Sequence, residues 1–273
     1  MRKSIFVSLI AILIMSESCA AKKNTGTLVR LETSYGNITV KLYSETIKHN
    51  VNFVKLVNNG FYNGVLFHRV IAGFMIQAGD PDSKTAKAGA LLGSGDMGYT
   101  IPAEFIYPKY YHKRGALAAA REGDESNPSK ASSGCQFYIV EGKIFSDYAL
   151  DSIETVNKEK LELKLFQKIV NTRQGEVKKY QVVRNQPKLV ELQDSILKVV
   201  NEDIEKTKSY KFTAQQRADY KVLGGTPHLD GEYTVFGEVI EGLDIVERIS
   251  NVKTGSNNRP VEDIKVIKAE IIK

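Results

Sequence analysis

The sequence has 273 residues, of which 42% are hydrophobic and none is Trp, so the chain can bury one sizeable core together with an appendage. The formal net charge is +6 and the pI is about 9.0, with acidic residues interspersed among the basic ones. Nucleic-acid binding would require a concentrated basic stripe with aromatic residues, so the charge pattern argues against that class of function. It predicts a solvated surface with weak attraction to anionic lipid headgroups.

The N-terminus has the pattern of a signal peptide, which we place at residues 1–18. Two basic residues precede an apolar run over residues 5–15 that is too short to span a bilayer. Small Ser18 lies directly before Cys19, as in bacterial lipoproteins, although the preceding residues match the usual lipobox poorly. We predict cleavage and lipidation at Cys19, with simple secretion as the alternative. The lipidated form would be anchored to a membrane of the bacterial cell envelope and face the periplasm.

The chain contains two cysteines, Cys19 and Cys135. If Cys19 is lipidated, Cys135 has no partner for an intramolecular disulfide. No His or basic residue is adjacent to Cys135 in the sequence. We therefore interpret it as a packing residue and not as a reactive thiol.

The first elements after the tether are a hairpin and a helix. Alternating apolar residues over 28–42, with a turn around Gly36, predict a β-hairpin. The helix that follows is predicted to begin at Asn50 or Asn52 as N-cap and to end at Asn59-Gly60.

The next segment, residues 67–80, combines one guanidinium with aromatic and thioether side chains. Arg69 lies in an otherwise apolar run, where a permanently charged group must reach solvent or find partners. Gly73 and Gly79 allow sharp turns on both sides of Phe74 to Ala78. This combination predicts a site. The alternative is a buried strand from which Arg69 extends to solvent.

Short strands recur through most of the remaining chain. They are predicted at residues 99–101, 115–119, 137–140, 234–240 and 264–272. A second short helix is predicted over residues 244–249. Many short strands with few helices indicate a mainly β fold in the form of a closed barrel.

The pattern changes between Ile144 and Gly224, where apolar residues recur every three or four positions and predict two amphipathic helices. Their apolar positions are Leu161, Leu165 and Ile169 in the first helix, and Leu189, Leu192, Ile196, Val200 and Ile204 in the second. Gly175 and Pro187 mark breaks. The regular apolar faces argue against a disordered linker, and we expect a helical appendage that the barrel does not need.

Three long motifs stand in a fixed order: FHRVIAGFMIQAGD at residues 67–80, SGCQFYIV at 133–140 and LDGEYTVFGEV at 229–239. In this order they resemble the cyclophilin-type peptidyl-prolyl cis-trans isomerases. The resemblance implies a closed barrel of eight antiparallel strands with two capping helices, and makes the helical segment an insertion in a surface loop. The predicted division is a signal peptide at 1–18, lipid attachment and tether at 19–26, barrel at 27–143, helical insertion at 144–223, and the second part of the barrel at 224–273.

The resemblance also implies roles for individual residues. Rotation of an X-Pro bond passes through a twisted amide over a barrier of about 18 to 20 kcal/mol, and no covalent chemistry is required. An apolar slot for the proline ring and a donor to the prolyl nitrogen lower this barrier. By the resemblance, Arg69 is the catalytic donor. The implied substrate-binding residues are Phe74, Met75, Gln77, Ala120, Gln136, Tyr138, Leu229 and Tyr233.

The sequence departs from the family pattern at three positions in or next to this set. Tyr138 stands where the family has Phe, His228 where cyclosporin-sensitive members have Trp, and Tyr233 where the family has His. A buried tyrosine hydroxyl must be hydrated or paired. These changes leave cyclosporin affinity open, whereas Arg69 is retained.

Other chemistries have weaker support. The four histidines are scattered without metal-ligand spacing, so no metal and no cofactor are expected. The run Ser132-Ser133-Gly134 lacks the nucleophile-elbow pattern of hydrolases. His68 is interpreted as a hydrogen-bonded structural residue, since isomerisation transfers no proton.

We therefore expect an isomerase that acts on proline-containing peptides and on unfolded exported proteins, where the uncatalysed step takes about 10 to 100 s. The alternative is a binding or chaperone-like module that holds proline-containing segments and uses the helical insertion to dock partners. An intact Arg69 favours the enzyme.

Overall fold

The computed structural model describes residues 26–208 and 210–272. The predicted signal peptide and Cys19 lie outside the described residues. Among the described helices, none combines the length and the hydropathy that crossing a bilayer requires.

Eight strands form one antiparallel sheet: β1 Leu28–Thr33, β2 Gly36–Leu42, β3 Phe67–Ile71, β4 Met75–Ala78, β6 Ala116–Ala119, β8 Phe137–Val140, β9 Val235–Glu241 and β10 Val266–Ile272. Their order in the sheet is β10-β1-β2-β9-β6-β8-β4-β3. Two short strands, β5 (Thr100–Ile101) and β7 (Ser132–Ser133), pair separately.

The predicted hairpin is present as β1 and β2. The register pairs Thr33 with Gly36 across the turn. Gly36 has a φ of 132°, and a Cβ at this position would lie 2.8 Å from the Ile245 side chain, so the turn requires glycine. Val29 and Leu31 point into the core from β1, which explains the alternation in the sequence.

The sheet curls strongly, but its edge strands do not form a continuous ladder in the described residues. The two edges meet through one isolated antiparallel bridge, Leu66 with Lys265. Next to it the amide of Phe67 donates to the carbonyl of Ile264 at 2.8 Å. The fold is thus a mainly β, curled antiparallel sheet with helices, and the predicted closed barrel is met only in part.

Two helices pack against the core enclosed by the sheet. Helix α1 is Ile47–Asn58 and helix α6 is Leu243–Ser250. They contribute six of the buried apolar side chains of the main core: Phe53, Leu56, Val57, Ile245, Val246 and Ile249. Helix α6 spans the predicted residues 244–249.

The predicted start of α1 is wrong. The helix begins one turn earlier, with Thr46 at the N-cap position and no side-chain capping bond. Asn50 and Asn52 lie inside the helix, and their side-chain amides bond to carbonyls outside it. Asn50 Nδ2 donates to the carbonyl of Tyr43 at 3.1 Å, and Asn52 Nδ2 donates to that of Gly134 at 2.8 Å.

Four helices lie between β8 and β9, in the segment 144–223. They are α2 Asp147–Thr172, α3 Gln174–Val182, α4 Gln186–Thr207 and α5 Ala214–Val222. The two stretches predicted to be amphipathic are helical, within α2 and α4. Helices α2 and α3 are separated at Arg173, and Pro187 lies in the first turn of α4.

This helical segment has two parts that pack differently. The arm, residues 157–208, has an apolar cluster in which α4 buries Leu192, Ile196, Val200 and Ile204 against apolar side chains of α2 and α3, with Tyr210 outside the arm also packed against it. The base, residues 144–156 and 210–223, forms a second cluster around Leu150, Phe212 and Tyr220, which includes Tyr111 from outside the segment. Only the base is therefore built into the β domain.

Candidate active site

A pocket of about 590 Å³ opens between β3, β4, β6, β8 and the 3₁₀ turn Pro227–Leu229. Eight of the nine predicted site residues line it: Arg69, Phe74, Met75, Gln77, Ala120, Tyr138, Leu229 and Tyr233. Gln136, the ninth, lines a neighbouring cavity together with Gln77 and Ala120. We call the first cavity the Arg69 pocket.

A β-bulge in β3 directs Arg69 into this pocket. The ladder pairs Phe67 with Ala78 and Arg69 with Gln77, so His68 is an extra residue on β3. Phe67 and Val70 both belong to the main core, whereas Arg69 lies between them on the pocket side. In a regular strand Arg69 would share the face of Phe67.

The guanidinium of Arg69 is held at the edge of the pocket. Its Nη1 donates to Gln77 Oε1 at 3.1 Å, and its central carbon lies 5.9 Å from the centroid of the Phe74 ring. One side of the fork is therefore fixed while the half-buried side chain still reaches the cavity. This answers the alternative drawn from the sequence, because Arg69 is neither buried among apolar groups nor free in solvent.

Gln77 is itself oriented by a chain of hydrogen bonds. Its Nε2 donates to Gln136 Oε1 at 3.0 Å, and Gln136 Nε2 donates to the carbonyls of Gly93 and Gly95 at 2.9 and 2.8 Å. Because Gln136 must present its amine to the two carbonyls, its oxygen faces Gln77, and the Gln77 oxygen then faces Arg69. At Gly95 a Cβ would lie 2.1 Å from Asp80 Oδ1, so this loop can approach only as glycine.

The remaining walls are apolar. Phe74 and Leu229 pack against a cluster that contains buried Met75 and Tyr138. The ring of His228 stacks on Phe74 with centroids 5.7 Å apart, at the position where the family motif has Trp in some members. Such a slot suits a pyrrolidine ring, which offers no hydrogen-bond donor.

The hydroxyl of Tyr138 is paired, as its burial requires. It lies 2.9 Å from His112 Nε2, and His112 Nδ1 lies 3.0 Å from Asp230 Oδ1. Burial raises the pKa of Tyr138 well above its ordinary value, so the phenol stays protonated and pairs with the imidazole as a neutral hydroxyl. Sequence reasoning missed His112. A signal was present, since a buried tyrosine in place of Phe demands a partner.

A second cation, Arg121, was also missed. It lines the Arg69 pocket with its guanidinium carbon 4.3 Å from the Tyr233 ring centroid. Its Nε donates to the carbonyl of Glu232 at 2.9 Å, and Asp124 pairs with Nη1 at 2.7 Å. Arg121 therefore fixes the ring of Tyr233, while Asp124 balances its charge at this rim of the pocket.

The structure contradicts the hydrogen bond predicted for His68. The residue is 3% exposed, and neither ring nitrogen has a hydrogen-bond partner among the described residues. Burial lowers the pKa of His68 to about 4, because the charged ring would lose its hydration.

This burial predicts a pH dependence of stability. The folded state binds the proton on His68 only near pH 4, whereas the unfolded chain binds it near pH 6.5, so stability is full above pH 6.5 and falls as the pH drops towards 4. The loss amounts to about 3 kcal/mol. In His68→Leu this part of the dependence should disappear. Denaturant unfolding of both proteins between pH 7 and 4 measures it, and parallel curves would refute the assignment.

Among the described residues no group of three or more His, Cys, Asp and Glu side chains is placed to hold a metal ion.

Comparisons with known proteins agree on one family. The sequence model described as "Cyclophilin type peptidyl-prolyl cis-trans isomerase/CLD" matches residues 28–156 and 167–271. A Staphylococcus saprophyticus protein with the provisional name peptidyl-prolyl cis-trans isomerase is 29% identical over 244 residues, which cover 89% of this chain and 90% of that protein. A Streptococcus pyogenes protein, provisionally named a bifunctional phosphatase/peptidyl-prolyl cis-trans isomerase, is 26% identical over 257 residues. This match covers 92% of this chain but only 40% of that protein.

The fold is also found among solved structures. A crystal structure of a cyclophilin type peptidyl-prolyl cis-trans isomerase from Cryptosporidium parvum superposes with a TM-score of 0.53 and 21% identity, covering 90% of this chain and 98% of that one. The same protein has been crystallised in the presence of the dipeptide Ala-Pro, with a TM-score of 0.50. At this identity the similarity shows the fold, and together with the match of the family model over most of the sequence it places the chain in the cyclophilin-type peptidyl-prolyl cis-trans isomerase family.

Proposed function

We propose that the Arg69 pocket is the active site of this isomerase and that Arg69 is its catalytic group. The observation that carries the assignment is one guanidinium, fixed by Gln77 at 3.1 Å, at the edge of an apolar slot. The chain is a cyclophilin-type peptidyl-prolyl cis-trans isomerase, and an X-Pro bond offers the two features that this pocket can contact, an apolar ring and a nitrogen next to it.

The catalytic effect follows from the change in the amide during rotation. In the planar amide the nitrogen lone pair is delocalised, but in the twisted state it is localised and accepts a hydrogen bond. Arg69 can donate from the part of its fork that Gln77 does not use. Phe74, Met75 and Leu229 hold the ring while the preceding carbonyl turns. The hydrogen bond therefore strengthens only in the twisted state, which is the condition for acceleration.

The test is an isomerase assay on a short X-Pro peptide, with binding of the same peptide measured in parallel. We expect acceleration at catalytic concentrations of the protein. The alternative function, a module that holds proline-containing segments without turning them over and docks partners through the helical segment, requires binding with no acceleration. That result would replace the enzyme with the binding module.

For its place of action, we propose export and lipid anchoring at Cys19, with the enzyme assisting the folding of exported proteins. The support is the sequence pattern of residues 1–19, with the basic start, the apolar run and small Ser18 before the cysteine. Several acyl chains on one residue anchor a protein stably, since each buried CH₂ contributes roughly 0.8 kcal/mol.

In cells, Cys19→Ala should move the protein from the membrane fraction to the soluble or secreted fraction. Fatty-acid labelling of the parental protein reports the modification directly, and Cys135→Ala is the matched control because Cys135 is buried in the β domain. Unlabelled parental protein would leave simple secretion as the route.

A further inference from the structure

A chain of buried hydrogen bonds connects helix α5 to the Arg69 pocket. The Tyr220 hydroxyl donates to Asp230 Oδ2 at 2.6 Å. The other carboxylate oxygen accepts from the backbone amide of His112 at 2.8 Å and contacts His112 Nδ1 at 3.0 Å. The far side of the same imidazole meets the Tyr138 hydroxyl at 2.9 Å. Tyr138 is a wall of the pocket.

Burial makes each member of this chain depend on the next. The side chains of His112 and Asp230 are 0% and 3% exposed, and Tyr138 and Tyr220 are 4% and 0% exposed. A polar group lost here is not replaced by bulk water, so a missing partner leaves its neighbour unsatisfied.

The direction of the hydrogen bonds follows from the donors. Burial raises the pKa of both Tyr138 and Tyr220 well above the ordinary value, so both hydroxyls stay protonated. The carboxylate of Asp230 then accepts from Tyr220 and from His112 Nδ1, which leaves Nε2 to accept from Tyr138. One orientation of the imidazole satisfies the whole chain.

One carboxylate thus reaches two walls of the pocket. It holds Tyr138 through His112, and it follows Leu229 directly in the chain. We propose that Tyr220 is a positioning residue for the isomerase site and acts through Asp230 and His112 on Tyr138. This inference rests on the proposed function of the pocket, and it assigns a task to the base of the helical segment.

The Tyr220 hydroxyl can be tested apart from its ring. The ring packs edge-on against Tyr111, Phe145 and Phe212, with centroids 5.5 to 6.2 Å apart. Phenylalanine keeps these contacts. Tyr111 offers a matched control, because its hydroxyl also joins the β domain to α5, through Asp219, but does not touch Asp230.

We expect Tyr220→Phe to lower kcat/KM on an X-Pro peptide by about three- to thirtyfold. The effect should be mainly on KM, because the pocket walls contact the proline ring of the substrate in the planar and in the twisted state alike. Tyr111→Phe should change kcat/KM less than twofold. In NMR spectra the ring signals of Tyr138 should shift in Tyr220→Phe and stay in place in Tyr111→Phe. This second readout does not depend on activity.

The pair Tyr138→Phe and Tyr220→Phe completes the test. If Tyr220 acts through the Tyr138 hydroxyl, the two losses in kcat/KM combine to less than their product. Independent losses, unchanged activity in Tyr220→Phe, or equal effects of Tyr220→Phe and Tyr111→Phe would overturn the proposal. Should Tyr220→Phe fail to fold, Asp230→Asn carries the same comparison, since it keeps an acceptor for His112. If Arg69→Ala is active while Tyr220→Phe still shifts the ring signals of Tyr138, the site assignment is refuted and the positioning chain stands.

Discussion

Arg69→Ala should lower kcat/KM on an X-Pro peptide by about 100- to 1,000-fold, which corresponds to about 2.7 to 4 kcal/mol for one lost donor to the reacting group. The fold should survive, because Arg69 is half-buried at the pocket edge and its hydrogen bond to Gln77 is its link to the scaffold. The circular dichroism spectrum and unfolding midpoint report the fold, and a coupled peptide assay reports the rate.

Two variants sharpen this result. Gln77→Leu keeps the volume but removes the acceptor that orients Arg69, so we expect an intermediate loss of roughly tenfold. Arg30→Ala removes a partly exposed arginine of β1 that pairs with Glu270 at 3.7 Å, and it should leave activity unchanged. Near-parental activity in a folded Arg69→Ala would show that another group performs the catalysis.

The arm and the base of the helical segment should respond oppositely to deletion. Replacing residues 157–208 with a short Gly/Ser linker should leave a folded, active enzyme, because the arm buries its apolar side chains mainly on itself and Tyr210 is the one residue of the base in its cluster. The ends to be joined are close, since the amide of Phe212 donates to Glu154 Oε1 at 3.1 Å.

Removing residues 147–222 should be far more damaging. It eliminates the hydrogen bonds from Tyr220 to Asp230 and from Tyr111 to Asp219, and it exposes the Tyr111 ring. We expect a fall of roughly 10 °C in the unfolding midpoint and a strong loss of peptide activity. The soluble yield, unfolding midpoint and kcat/KM of both deletions decide the matter. Full activity without the base would restore the simple appendage predicted from the sequence.

The local part of the fold was accessible from the sequence. Alternation predicted the β1–β2 hairpin, and periodicity predicted the helices at 161–169 and 189–204. The predicted start of α1 was wrong because the N-cap was assigned from residue type alone. Asn50 and Asn52 are good capping residues, but their side-chain amides bond to the carbonyls of Tyr43 and Gly134 outside the helix, and a propensity argument does not include those contacts.

The residues that line the candidate site were predicted from the sequence, but the buried residues that hold them in place were not. The motifs brought Arg69 and the apolar walls together because strands β3, β4 and β8 are neighbours in the sheet. His112 and Asp230 are 118 residues apart in the chain, and neither belongs to a motif that carries a recognisable pairing. Tyr138 in place of Phe signalled that a partner was needed, but contacts of this range depend on how the whole chain folds, so local patterns could not identify His112 or Asp230 as the partners.

Because of the bulge in β3, the proposed site depends on how β3 pairs with β4 as well as on which residues the strand contains. If β3 kept His68 but paired with β4 without the bulge, Arg69 would lie opposite Ile76, on the core face that Phe67 occupies. Every residue of the proposed site would still be present in the sequence. The cation would nevertheless face the apolar interior, and the chain would retain the sequence motif without the guanidinium at the proposed site.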